Sequence, residues 1–65
     1  MNKYAYSGPV MNFDRCIDDR WKGETMAISE KKARSNLTFQ YKKQNGYEAG
    51  ANIKLPGEIL LIKGG

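Results

Sequence analysis

The chain has 65 residues, a formal net charge of +4 and no histidine. One domain over residues 1–65 is expected, burying about 60% of the surface its unfolded form exposes, which leaves little room for a deep active site. Losing histidine removes the commonest neutral-pH base and metal ligand, and the single cysteine can make neither an internal disulfide nor a zinc site.

Cys16 is therefore expected as a small half-buried core residue. No apolar run approaches the ~20 residues that span a bilayer, and the opening MNKYAYSG lacks the apolar stretch of a signal peptide. A cytoplasmic protein with no membrane contact is expected. No catalytic residue, metal or cofactor is expected either.

In Lys3–Ser7, Tyr4 and Tyr6 alternate with polar or small residues, the period-2 pattern of a half-buried strand. Gly8-Pro9 then marks a tight turn or an edge-strand bend, because proline cannot donate to a ladder. The run VMNFDRCI resumes the alternation as a second strand, and Asp18-Asp19 reads as a turn. From Arg20 to Ile28 a third strand sets Lys22, Glu24, Met26 and Ile28 on one face and Trp21, Gly23, Thr25 and Ala27 on the other. Trp21 is expected at the core, since a domain this small needs its largest apolar side chain, and Gly23 marks a bulge.

The segment SEKKARSNLTFQYKKQNG, Ser29 to Gly46, is the one with sustained helical periodicity and signals at both ends. Ser29 is a suitable N-cap, and Asn45-Gly46 tolerates the left-handed conformation that closes a helix. Ala33, Leu37 and Tyr41 form the stripe that should face the core, with Ile28 placed to staple against Ala33. The opposite side carries Lys31, Lys32, Ser35, Phe39, Lys42 and Lys43. With Arg34, the helix has five cations against the one acid Glu30, while the remaining charges of the chain cancel, so the whole excess sits on this helix.

After the connector YEAGAN, NIKLPGEILLIKGG holds two apolar runs around Pro56-Gly57, a favoured pair for a type II turn, so a terminal hairpin is expected. Ile59, Leu60, Leu61 and Ile62 are continuously apolar rather than alternating, which hints at a strand covered on both faces and at a homodimer formed through these four residues. Gly64-Gly65 is expected to fray. The assembled fold is α+β, an antiparallel β-meander packed against one helix in the order β-β-β-α-β-β.

Lys31 and Lys32 lie in the first helical turn, where a cation opposes the macrodipole at a cost of about 0.3–1 kcal/mol, so stability alone would place acids there. An aromatic among lysines is what a stacking platform for unpaired bases requires, and Tyr4, Tyr6 and Trp21 would extend the platform where they face outward. The expected nucleic-acid surface is thus Lys31, Lys32, Arg34, Phe39, Lys42 and Lys43. Asp14, Asp18 and Asp19 offer the only acidic cluster, and their spacing lacks the ligand set of a calcium loop.

Ser29-Glu30-Lys31-Lys32-Ala33-Arg34 after a strand resembles the strand-to-helix junction of double-stranded RNA-binding domains, whose Lys-Lys-x-Ala-Lys run faces phosphates. The resemblance covers about six residues and implies phosphate contacts for Lys31 and Arg34; Glu30 stands where that family has Lys, and the family's initial helix is missing. Strands followed by a helix are also similar to the arm-type DNA-binding domains of integrases. The region around Trp21, Gly23-Glu24-Thr25 and the helix looks like small uncharacterised proteins of bacteriophages and conjugative elements. The reading that results is a small non-enzymatic nucleic-acid-binding accessory protein. The alternative is a protein-interaction or homodimerising module.

Overall fold

The computed structural model describes residues 1–48 and 50–63. Strands β1 (Asn2–Asn12) and β2 (Arg15–Ala27) form a long antiparallel hairpin, followed by helix α1 (Glu30–Gln44) and strands β3 (Ile53–Lys54) and β4 (Ile59–Lys63). The class is α+β, one helix laid on a four-stranded antiparallel sheet. Gly64-Gly65, expected to fray, lie outside the described residues.

Two strands precede the helix where three were expected, because the chain reverses at Phe13-Asp14 rather than at Gly8-Pro9 or Asp18-Asp19. Asn12 pairs with Arg15 across that turn, and Phe13 takes φ 61°, the sign that a type II′ turn requires at its first central position and usually fills with glycine. The Phe13 amide donates to Asn52 O at 3.0 Å, tying the tip to the approach of β3.

β1 lies in the middle of the sheet. β2 runs along one side of it, while β3 and β4 share the other side end to end, with Met11 opposite Lys54 and Tyr6 opposite Ile59. Pro56-Gly57 is therefore not the tip of a hairpin: both apolar runs pair with β1 instead of with each other. Proline inside a central strand is tolerated at an irregularity, and the β1–β2 register shifts between Gly8 and Val10.

The break between β3 and β4 lies along β1 at the level of that irregularity, and one side chain joins the two. The Tyr6 hydroxyl donates to Pro9 O at 2.6 Å and accepts from Gly57 N at 3.0 Å. Arg34 Nη1 donates to Leu55 O and, at 3.1 Å, to Gly57 O. The backbone groups freed by two prolines thus find partners from the core and from the helix. Tyr6 is buried, so Tyr6→Phe strands both the Pro9 carbonyl and the Gly57 amide. A loss of about 1–3 kcal/mol is expected, seen as a lower urea midpoint at unchanged slope.

The helix follows its sequence signals closely. Ser29 is extended and its Oγ accepts from Lys32 N at 3.2 Å; Gly46 takes φ 75°, and Tyr47 N donates to Lys42 O at 2.8 Å, closing a Schellman motif. Tyr47 stacks on Tyr41 at 6.0 Å, supplying the motif's side-chain contact. Ala33, Leu37 and Tyr41 are buried as expected against Tyr4, Tyr6, Val10, Ala27, Leu55 and Ile59. Ile28 is not a staple: it is 75% exposed, just past the end of β2, whose last residue Ala27 is the one that faces the core.

The faces of Arg20–Ile28 are the expected ones, with Ala27 buried, Trp21, Gly23 and Thr25 half-buried, and their alternates exposed. Trp21 meets Tyr41 edge-on at 5.3 Å and Tyr6 at 6.4 Å. Gly23 makes no bulge; it stays in register opposite Tyr6 and leaves space for the Trp21 ring. Cys16 is exposed rather than half-buried in the core.

Candidate nucleic-acid interface

Packing of the Ala33, Leu37 and Tyr41 stripe fixes the rotation of α1 and turns the opposite face to solvent. On that face Lys31, Arg34, Ser35, Thr38, Phe39 and Lys42 line an open groove of about 360 Å³. The spacing of Lys31, Ser35, Thr38 and Lys42 keeps them in one row along the helix. Thr38 was identifiable from that spacing, since it falls on the same row as Lys31 and Lys42. Its Oγ1 donates to Arg34 O at 2.8 Å, which leaves the hydroxyl oxygen as an acceptor.

Phe39 is 59% exposed and borders the groove, so an apolar ring stands uncovered beside two lysines. Among the described residues, neither the N-terminal strand nor the C-terminal segment covers it. The other aromatic residues do not extend this platform: Tyr4 and Tyr6 are buried, and Trp21 is half-buried between Tyr6 and Tyr41. The Tyr41 phenol, on the core side of the helix, is held above its ordinary value, chiefly by burial, with Asp18, Tyr47 and Cys16 adding to the shift.

The six residues expected at the interface are only partly brought together. Lys31, Arg34, Phe39 and Lys42 share the groove. Lys32 stands one step round the helix, lining with Ile28, Ser29, Lys31 and Ser35 a mostly apolar cleft at the helix start. Lys43 is exposed on the flank near the C-terminus. Arg34 has a structural task as well, since its Nη1 holds the carbonyls of Leu55 and Gly57. Sequence periodicity placed Arg34 beside the basic face but carried no signal of that contact across 21 residues.

The three acids are separated. Asp14 is in the hairpin turn, whereas Asp18 and Asp19 belong to β2, where Asp18 Oδ1 accepts from Arg20 N at 3.2 Å. Among the described residues, no group of three His, Cys, Asp or Glu side chains is placed to hold a metal ion. No helix among them is long and apolar enough to cross a membrane. Comparison with protein-family models, with curated proteins and with solved structures finds no match for this chain.

Proposed function

We propose that this is a non-enzymatic accessory protein that binds single-stranded nucleic acid along the outer face of α1. The observation that carries the reading is Phe39, exposed at the border of a groove lined by Lys31 and Lys42. A ring that is not needed by the core, set among cations, fits a base stacked on its face with the adjoining phosphates held by lysine. Lys31 and Lys42 take the phosphates nearest the base, and Lys32 and Lys43 the flanking ones. Arg34 contributes through Nε and Nη2, because Nη1 is committed to the β3–β4 break.

The concentration of the chain's whole charge excess on this element supports the same reading, since a one-signed face draws polyanions to it. The test is fluorescence anisotropy with a labelled single-stranded oligonucleotide at several salt concentrations. Changing Lys31 and Lys32 together to Glu should weaken binding strongly and flatten the log–log salt dependence by roughly 0.7 for each phosphate no longer neutralised. Phe39→Ala should cost about 1–3 kcal/mol of binding while leaving the salt slope unchanged, as stacking exchanges no counterions. Unchanged affinity in the lysine variant rejects the surface. A duplex bound as tightly as the single strand, with Phe39→Ala neutral, rejects the stacking role.

A further inference from the structure

Apart from Phe39 and Phe13, the large apolar side chains left exposed are Met1, Met26, Ile28, Leu60, Leu61 and Ile62. The strand register gathers them at one end of the sheet. Asn2 is opposite Ala27, Lys3 opposite both Met26 and Lys63, and Tyr4 opposite Leu61. Three of the six lie in β4, which pairs with β1 on one side and with no described strand on the other.

β2 and β4, on opposite sides of β1, differ in character. β2 carries the charges Arg15, Asp18, Asp19, Arg20, Lys22 and Glu24, and α1 takes two of its carbonyls, with Gln40 donating to Glu24 O at 3.0 Å and Asn36 to Met26 O at 3.4 Å. β4 has no charge from Ile59 to Ile62. Ile59 is buried at 5%, whereas Leu60, Leu61 and Ile62 are each more than half exposed. An apolar strand with an open ladder is a template for another strand, and the charge that usually protects such an edge stands only at its last residue, Lys63.

We infer that β4 pairs antiparallel with β4 of a second copy of this chain. The second copy fits better than an unrelated strand for a reason of symmetry. Two identical antiparallel strands are related by a two-fold axis perpendicular to the sheet, so one apolar patch serves as both halves of the interface. An axis at Leu61 sets Leu61 against its own counterpart and Leu60 against Ile62 of the other copy, so the three exposed apolar residues of β4 shield one another across the seam. The ladder is short, because the β1–β4 register shifts between Lys3 and Tyr4, opposite Ile62, so apolar contact carries most of the association and it is weak and reversible.

The same axis has a second consequence. A rotation perpendicular to the sheet keeps both helices on one face of the continuous sheet, so the two grooves bordered by Phe39 open on the same side. Each binds weakly alone, and together they gain from the high effective concentration of the second site. That gain rests on the proposed nucleic-acid reading; the strand pairing does not.

The experiment is sedimentation and light scattering of the full chain, free of nucleic acid, from micromolar to near-millimolar concentration. The mass should rise from that of the monomer toward twice that value, and high salt should not abolish the rise. Leu60→Lys and Leu61→Lys should each stay folded by circular dichroism and remain monomeric across the range. A parent chain that stays monomeric overturns the inference whatever the variants do, as does association that persists unchanged in both folded lysine variants. Since no oligonucleotide is present, failure here leaves the binding surface on α1 standing. Failure of the anisotropy test likewise leaves the pairing standing.

Discussion

Leu37→Ala is expected to cost about 2–5 kcal/mol, the range for truncating a fully enclosed leucine whose surroundings relax only in part. Leu37 has no exposed surface and sits at the middle of the buried helical stripe, one turn from Ala33 and from Tyr41. At roughly 0.05–0.15 kcal/mol per residue, a domain of this size has a total stability not much larger than that loss. The melting temperature should fall by roughly 4–8 °C for each kcal/mol, which circular dichroism reads directly. Phe39→Ala, on the opposite side of the same helix, removes an exposed side chain and should change stability by no more than about 0.5 kcal/mol. Equal melting shifts for the two variants would mean that the helix is rotated away from packing Leu37 inward and Phe39 outward, and the groove with it.

The helix was legible because its signals are local. A serine at the N-cap, an Asn-Gly pair at the other end and a three-residue apolar stripe each act within a few residues, and no distant contact opposes them. The face assignment of Arg20–Ile28 was legible for the same reason, since strand parity is fixed by the neighbours. The turns were less so. Phe13 reverses the chain with a positive φ that its own side chain disfavours, and what holds it is the amide contact to Asn52, 39 positions away in the sequence. Pro56-Gly57 carries a good turn signal, yet the apolar runs on either side both find a longer partner in β1 than in each other.

For the interface, the sequence indicated which residues share the helix face but not which are engaged elsewhere. Arg34 illustrates the difference. Its position beside the lysines follows from the 3.6-residue period, while its contact with the β3–β4 break follows only from the path of the C-terminal segment along β1. The exposure of Phe39 depends in the same way on where the termini run. In the described residues both terminal segments, β1 and β4, are paired in the sheet rather than laid over the ring.

Gly23→Ala should destabilise by about 1–3 kcal/mol, although alanine costs less conformational entropy in a strand than glycine does. A Cβ at that position would lie 2.6 Å from Trp21 Cη2 and 3.0 Å from Leu37 Cδ2, distances that require the indole or the helix to move. The indole has little freedom, since it is set edge-on to Tyr41 and tilted against Tyr6. Trp21→Phe shortens the ring and removes the two indole atoms closest to the new methyl group. In that background Gly23→Ala should cost much less, with the entropic advantage of alanine offsetting most of what remains. Urea titration of the parent, the two single variants and the double variant measures the coupling, which should exceed about 0.5 kcal/mol in the direction of rescue. Additive effects would show that Trp21 does not hold Gly23 in place, and the packing that orients α1 toward β2 would need another origin.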